Sequence, residues 1–183
     1  MRDGDTAIAE MAAASGLALL HGRLDVRRAT TTETGELIRH AMDRGTTRIV
    51  LGIDGSATTD GGAGALAALG ARFFDRDAAL LAPNPLDLAR LDRIDVAHLT
   101  TDWRSPQSRS LATSITRCSG RRVRPRSTVR KKGASAGDVA FLDASVESDR
   151  ERIGRCLSIG APCRTQAVSK RGRQARCDII GRS

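Results

Sequence analysis

The chain has 183 residues, 40% hydrophobic and 2% aromatic, which suits one globular domain with a buried core. Residues 1–103 carry a formal charge of −4 and residues 104–183 carry +13, so the basic whole-chain charge of +9 comes from the second part. The sequence has no apolar run long enough to span a membrane, and its N-terminus lacks the order of a signal peptide. We therefore expect a cytoplasmic protein with no membrane partner.

Short apolar runs alternate with helical patterns in the first part of the chain. In chain order, the predicted elements are a strand over residues 6–11, a helix from the hydroxyl cluster Thr30–Thr34 to Gly45, a strand over 48–53, a helix over 62–69, a strand over 71–74, a loop over 76–85 and a helical repeat over 86–94. Such alternation indicates an α/β fold with a parallel sheet, whose ligands bind at the carboxyl ends of the strands.

The order of the pattern is lost in the second part of the chain. Residues 104–130 show neither a helical nor a strand period, and residues 147–183 are polar, basic and aperiodic. We therefore expect an α/β core over residues 1–103 and a basic, largely disordered or non-native tail over residues 104–183. A helical pattern returns once in this tail and predicts a short helix at residues 132–146.

The most informative segment is residues 50–64, with the sequence VLGIDGSATTDGGAG. An apolar strand leads into a loop of small residues that carries Ser56, Thr58 and Asp60. Glycines let a ligand approach the backbone closely, and the free N–H groups of a strand-to-helix loop suit an anion such as phosphate. We therefore predict an active site at this loop.

Each polar residue near this loop also has a structural interpretation. Asp60 suits a carboxylate that orients an acceptor hydroxyl or holds magnesium, but Asp is also common in an Asx-turn or as a helix N-cap. Ser56 and Thr58 suit hydrogen bonds to phosphate or carboxylate oxygens, or plain loop capping. Glu10 follows the first strand, where it either reaches the same cleft or ends in solvent.

Other patterns in the chain predict little chemistry. Residues 62–67 fit G-x-G-x-x-A, but eight residues separate them from the strand, so we interpret these glycines as helix packing. The histidines are isolated, and the four cysteines form no C-x-x-C pair, which argues against a zinc site or a disulfide framework. The arginine-rich stretch Arg121–Lys132 would bind nucleic acid only non-specifically, since no aromatic residue is interleaved for base stacking.

Three stretches resemble the bacterial-type glycerate kinase family. Residues 9–19, AEMAAASGLAL, are similar to the family's IEMAAASGLAL, residues 34–38 to its GTGELI, and residues 51–73 to its LGIGGSATNDGGAG…LGARF. The resemblance implies a partial parallel-sheet α/β domain of a two-domain protein with a cleft, followed by a mostly irregular basic C-terminal part. It also implies ATP-dependent phosphoryl transfer to D-glycerate with Mg²⁺.

By matching position, the resemblance assigns a catalytic role to Asp60. It assigns substrate and nucleotide binding to a second set of residues, which consists of Glu10, Ser56, Thr58, Gly61 and Gly62. No protein metal ligand is assigned, and the chain has no Walker A sequence, which this family does not use.

The chain departs from the family pattern within these same stretches. Asp54 and Glu33 stand where the family has glycine, and Thr59 stands where it has asparagine. Each new carboxylate lies where anionic substrates are expected, and like charges at close range cost about 4 kcal/mol at an effective dielectric near 20. We therefore expect little or no activity from this chain.

The resemblance stops after Arg104 and returns at residues 132–144, which are similar to the family's QKGASPEDVALLDA. Suitable codons for residues 109–130, read from one base earlier, spell VACDVDNPLLGPTGASAVYGP, which resembles the family's missing segment. We infer a frameshift near Gln107 and a compensating one near Lys131, in a chain that is an internal, truncated piece of the family sequence. The alternative is a non-enzymatic α/β protein with a basic nucleic-acid-binding arm.

Overall fold

The computed structural model describes residues 2–3, 5–99, 107–112, 129–142, 166–169 and 174–176. Its strands are β1 (Arg2–Asp3), β2 (Thr6–Glu10), β3 (Arg48–Gly52), β4 (Arg72–Phe74), β5 (Leu80–Leu81), β6 (Arg93–Asp95), β7 (Gln107–Ala112), β8 (Gln166–Ser169) and β9 (Gln174–Arg176). Its helices are α1 (Met11–Ser15), α2 (Thr32–Asp43), α3 (Ala63–Ala68), α4 (Pro85–Leu88) and α5 (residues 136–142), with a 3₁₀ turn at Leu17–Leu20 and further helical residues at 129–131.

Six strands form the main sheet, in the order β1-β2-β3-β7-β8-β9. Strands β2, β3, β7 and β8 run parallel, and β1 and β9 pair antiparallel at the two ends of this order. Glu10 at the end of β2 lies opposite Gly52 at the end of β3, which in turn lies opposite Leu111 of β7. The carboxyl ends of three strands therefore meet at one edge, and the predicted parallel α/β sheet is confirmed.

Local signals in the sequence fix the longest helix. Helix α2 begins after Thr31 and its capping residue at the end is Arg44. Gly45 follows with φ of 73°, and its N–H donates to the Met42 carbonyl at 2.8 Å. A left-handed glycine just after a helix satisfies the last carbonyls without steric cost, so the predicted end at Gly45 is confirmed.

A second, antiparallel sheet has the order β5-β4-β6 and was not expected from the alternating pattern. The connection between β4 and β5, residues 75–79, is too short for a parallel crossover. The loop predicted over residues 76–85 therefore contains a strand, and the helical repeat predicted over residues 86–94 is wrong beyond Leu88. Leu91 still faces the core, but Ile94 pairs with Phe73 as a strand residue.

The main hydrophobic core lies between α3 and this small sheet. Its buried residues are Ala63, Ala71, Phe73, Leu81, Leu88 and Leu91. The predicted helix over residues 62–69 and the predicted strand over residues 71–74 both contribute to it, and both are confirmed with slightly shorter bounds.

The second part of the chain adds structure that its side-chain pattern did not predict. Strand β7, from the segment without a detectable period, pairs with β3 over five residues. Parallel pairing is made by backbone groups, so a polar strand sequence hides it from a search for apolar alternation. Helix α5 lies within the helix predicted at residues 132–146, whose last four residues fall outside the described ones. The domain boundary at residue 103 stays a prediction.

Candidate functional site

The loop after β3 (residues 53–60) lies at the carboxyl edge of the parallel sheet. Backbone hydrogen bonds hold it against the chain after α1: Leu17 N donates to the Gly55 carbonyl at 3.1 Å, and Ala57 N donates to the Ser15 carbonyl at 2.9 Å. The first three residues of the loop are exposed, whereas Ser56 is half-buried. These two hydrogen bonds hold the middle of the loop in place, and its tip is open to solvent.

Asp60 ends this loop and is 6% exposed. Its Oδ2 accepts hydrogen bonds from Thr31 N at 2.7 Å, Thr31 Oγ1 at 2.8 Å and Gly64 N at 3.0 Å. Its Oδ1 accepts from Gly62 N at 3.2 Å. One carboxylate thus links the starts of α2 and α3, and these contacts match the capping interpretation of Asp60. Its catalytic role stays a prediction.

Gly61 and Gly62 form the turn from the loop into α3. Their φ angles are 63° and 89°, and a Cβ built on either would meet nothing within 4 Å. These positions favour glycine because of their left-handed backbone, and not because of crowding. In this turn the Gly62 N–H donates to Asp60. This contact explains the conformation of the turn without a ligand, and a binding role for these two glycines stays a prediction.

The helices α2 and α3 cross at two other glycines. A Cβ on Gly35 would lie 2.5 Å from the Cα of Ala65, and a Cβ on Gly64 would lie 2.5 Å from Thr32 N. Both glycines therefore permit a close approach of two backbones. The interpretation of the G-x-G-x-x-A pattern as helix packing therefore holds for Gly64, whereas Gly62 lies in the turn before α3 and would meet nothing within 4 Å.

Lys132 reaches the loop from a segment 76 residues away in sequence. Its Nζ donates to Ser56 Oγ at 3.1 Å and to the Thr58 carbonyl at 2.5 Å, and the residue is 9% exposed. Sequence reasoning placed this lysine at the end of a basic stretch and at the start of the family-like residues 132–144, and gave it no role in the site. The structure instead buries its ammonium group at the candidate site.

The environment of Lys132 is unfavourable for a charge. Burial lowers the pKa of the Lys132 ammonium below its ordinary value of 10.5, and the negative charge of Asp60 opposes this shift only in part. Among the described residues, no carboxylate lies within ion-pair distance of the ammonium. The site thus contains a buried cation whose nearest partners are neutral oxygens.

Several contacts dock residues 129–142 next to the loop. Arg27 Nε lies 2.5 Å from Asp138 Oδ1, and the Arg27 guanidinium lies 4.9 Å from the centre of the Phe141 ring. A second apolar cluster completes the attachment and consists of Val26, Val129 and Leu142, with Ala134 and Phe141 packed against it. These contacts are what position Lys132 at the loop.

Hydrogen bonds to Asp138 stabilise the start of α5. Its carboxylate accepts from Ser135 Oγ at 2.7 Å and Ser135 N at 2.9 Å, and Ser135 Oγ in turn accepts from Asp138 N. These bonds, with the Arg27 guanidinium, lower the pKa of Asp138 from its ordinary value of 3.8 to about 2. The reciprocal pattern is a capping box, which the sequence analysis did not identify.

Most of the predicted site residues come together. Five of them lie in the loop or the turn that follows it: Ser56, Thr58, Asp60, Gly61 and Gly62. Glu10 is exposed at the same sheet edge, and its Cγ would lie 3.6 Å from a Cβ on Gly52. The Thr58 side chain is buried, so its predicted contact with a ligand has no support from its exposure.

The described residues offer a poor direct site for Mg²⁺. They contain no group of three or more His, Cys, Asp or Glu side chains that could hold a metal ion. Both oxygens of Asp60 already accept hydrogen bonds from N–H or O–H donors, which a directly bound cation would have to displace. Within these same residues, no helix has the length and hydropathy that a membrane crossing requires.

The fold and the site define an α/β protein with a small-residue loop at the carboxyl edge of a parallel sheet and a buried lysine beside it. A sequence model described as "Glycerate kinase family" matches residues 1–168. The chain belongs to the glycerate kinase family.

Individual relatives agree with this assignment. A glycerate 2-kinase of Escherichia coli (strain K12) is 36% identical over 158 residues, which are 86% of this chain and 42% of that protein. A glycerate kinase of Bacillus subtilis (strain 168) is 47% identical over 108 residues, 57% of this chain and 28% of that protein. A solved structure of a glycerate kinase 2 from Salmonella typhimurium LT2 superposes with a TM-score of 0.81 at 35% identity, covering 86% of this chain and 43% of that one. The chain spans less than half the length of these relatives.

Proposed function

We propose that the loop after β3 serves phosphoryl transfer from MgATP to a hydroxyl group of D-glycerate, and that this chain has weak or no turnover by itself. The observation that carries the proposal is the family match over residues 1–168, which includes both the loop and Lys132. Magnesium enters with the nucleotide, as a cation bound to the phosphates of ATP.

The chemistry of such a reaction consists mostly of positioning and charge neutralisation. The half-buried Ser56 hydroxyl lies next to the exposed loop tip, where it is available to a ligand oxygen. Asp60 holds the starts of α2 and α3 in place through its four hydrogen bonds, so it keeps the loop in one conformation. Glu10 adds an exposed carboxylate at the same edge, suited to orienting a hydroxyl group.

Two carboxylates weaken the proposed site by repulsion. Asp54 is exposed at the loop tip, and Glu33 Oε2 accepts a hydrogen bond from Ser15 Oγ at 3.3 Å. Because Asp54 lies in solvent, water screens it, and its repulsion of an anion about 4 Å away is roughly 1 kcal/mol rather than the larger value for a low dielectric. That corresponds to about a fivefold loss of affinity for an anionic substrate.

A coupled assay for ADP formation tests the proposal on the purified 183-residue chain with MgATP and D-glycerate. We expect glycerate-dependent ADP formation far below the usual enzyme range of about 1–10³ per second. The variant Asp54→Gly should bind D-glycerate or MgATP about fivefold more tightly by calorimetry. Asp77→Ala, another exposed aspartate, serves as the control and should change neither value.

Two results would contradict the proposal. One is the absence of both ADP formation and binding with D-glycerate and MgATP in the chain and in Asp54→Gly. The other is a clear preference for a different hydroxy acid, such as lactate. Turnover in the usual enzyme range would instead refute the expectation of weak activity.

We also infer that residues 109–130 arise from a shifted reading frame. The support is that suitable codons for this segment, read from one base earlier, can spell a family-like peptide, together with the return of the family pattern at residue 132. The nucleotide sequence of the gene decides this: codons that do not spell VACDVDNPLLGPTGASAVYGP in that frame rule the frameshift out.

A further inference from the structure

The ammonium group of Lys132 is the one feature of the site that no sequence motif assigned to a function. It is a buried cation. The contacts of Arg27 with α5 hold the segment that carries Lys132 against the loop. An ammonium group has three N–H donors. The described residues accept two of them, through Ser56 Oγ and the Thr58 carbonyl.

A buried charge needs a partner of opposite sign to offset the loss of hydration. Asp60 supplies only a longer-range field, because both of its oxygens accept hydrogen bonds from other groups and no ion pair joins it to Lys132 within the described part of the chain. Within the described part of the chain, the ammonium therefore has one donor without an acceptor and an incompletely balanced charge. Both would be satisfied by one anionic oxygen.

The direction from which such an oxygen would arrive is set by the loop. The Thr58 side chain and Ala57 are buried on one side, whereas Ser56 is half-buried and residues 53–55 are exposed on the other. A ligand that reaches Ser56 from solvent thus approaches the Lys132 Nζ, which is 3.1 Å from Ser56 Oγ.

We propose that Lys132 and Ser56 together bind an anionic oxygen of the substrates, either a phosphoryl oxygen or a carboxylate oxygen, at the open side of the loop after β3. This deepens the proposed function, on which it rests for the choice of ligands. The ammonium donates its third hydrogen bond to that oxygen and neutralises its charge, while Ser56 Oγ donates its own proton to the same group. Lys132 thereby acts as a substrate-binding residue and not only as a link between α5 and the loop.

Calorimetric titration of the full chain with inorganic phosphate, MgATP and D-glycerate tests this proposal. We expect Lys132→Met to weaken at least one of these ligands by about tenfold or more, as loss of a charge-assisted hydrogen bond should. Lys132→Arg should restore part of the affinity because it keeps the charge. The neighbouring Lys131, which is exposed, provides the matched control, and Lys131→Met should bind all three ligands normally.

A merely structural link would give a different result: Lys132→Met would be less stable but would bind every ligand within twofold of the unmodified chain, and this would overturn the proposal. The three arms separate the possible sources, since an effect on D-glycerate alone indicates the carboxylate and an effect on phosphate and MgATP indicates the phosphoryl group.

A second measurement covers the case in which Lys132→Met does not fold. The chain contains three lysines, so ¹³C labelling at the lysine Cε gives three side-chain signals that are simple to assign. Phosphate or D-glycerate should shift the Lys132 signal and leave that of Lys131 in place, and an unmoved Lys132 signal at saturating ligand overturns the proposal. Ligand-dependent shifts of Lys132 together with a clear preference for another hydroxy acid over D-glycerate would refute the proposed function and leave the role of Lys132 intact, whereas D-glycerate-dependent ADP formation with an unaffected Lys132 would do the reverse.

Discussion

Replacing Asp60 with alanine tests how far one carboxylate holds the site together. The substitution removes the acceptor of four hydrogen bonds, two of which come from the buried backbone groups Thr31 N and Gly64 N. Each buried donor left without an acceptor costs about 1–3 kcal/mol. The estimate counts these two backbone donors only, since Gly62 N is only partly buried. We therefore expect a loss of about 2–6 kcal/mol, a large part of the roughly 5–15 kcal/mol that stabilises a typical domain.

Urea denaturation of the full chain, followed by far-ultraviolet circular dichroism, measures this loss. Asp60→Asn keeps the shape and one oxygen acceptor, so it should lose less stability than Asp60→Ala. The exposed Asp77 again provides the control, and Asp77→Ala should lie within about 0.5 kcal/mol of the unmodified chain. A loss below about 1 kcal/mol for Asp60→Ala would refute the reasoning, because the four hydrogen bonds would then contribute no more than one ordinary bond.

Two further predictions use the same denaturation assay. Gly35→Ala should destabilise the chain by about 1–3 kcal/mol, because the new Cβ would lie 2.5 Å from the Cα of Ala65. The same substitution at Gly137, where a Cβ meets only Ser135 Oγ at 3.8 Å, should be neutral or stabilise α5 by up to about 1 kcal/mol. Equal effects at the two sites would contradict the close crossing of α2 and α3. For Asp138, the lowered pKa means that the ionised carboxylate stabilises the fold fully above its ordinary value of 3.8, and that this contribution is lost as the pH falls from 3.8 to about 2. Asp138→Asn removes the titrating group, so the stability difference between it and the unmodified chain should shrink over that pH window, and a constant difference would show that Asp138 is not held by Ser135 and Arg27.

Elements fixed by local signals could be predicted from the sequence. Helix α2 has a hydroxyl cluster before it, apolar residues at helical spacing and a glycine after it, and β3 is a short β-branched run between polar residues. In each case the information lies within a few residues of the element. The positions of these two elements were therefore correct to within two residues.

Elements fixed by distant partners could not be predicted in the same way. The apolar residues Leu86, Leu88, Leu91 and Ile94 have nearly helical spacing. However, the helix that Asn84 caps is only one turn long, and Ile94 lies in β6, where it pairs with a residue of β4. Strand β7 has a polar sequence and is a strand only because β3 and β8 pair with it. The local periodicity of the sequence predicts neither outcome.

The same distinction explains what was found of the candidate site. The loop residues share one stretch of sequence, so small side chains and hydroxyls identified them together. Lys132 lies 76 residues from Ser56, at the end of an arginine-rich stretch for which the sequence predicted only non-specific binding of nucleic acid. The available signal was the Lys-Gly pair at which the family pattern resumes, and it marked a position without indicating any chemistry.

The contacts of Asp60 and Lys132 together give Asp60 an indirect way to influence a bound anion, through the charge of Lys132. The negative charge of Asp60 raises the pKa of Lys132 against the effect of burial, and so helps to keep the ammonium protonated. Loss of that charge would lower the pKa of Lys132 further and reduce the fraction that carries a positive charge at a given pH. Asp60→Asn should then weaken anion binding more at alkaline than at neutral pH, even where the variant remains folded. Asp60 is then a positioning residue that acts through Lys132, which is consistent both with its burial as a helix cap and with its place in the small-residue loop.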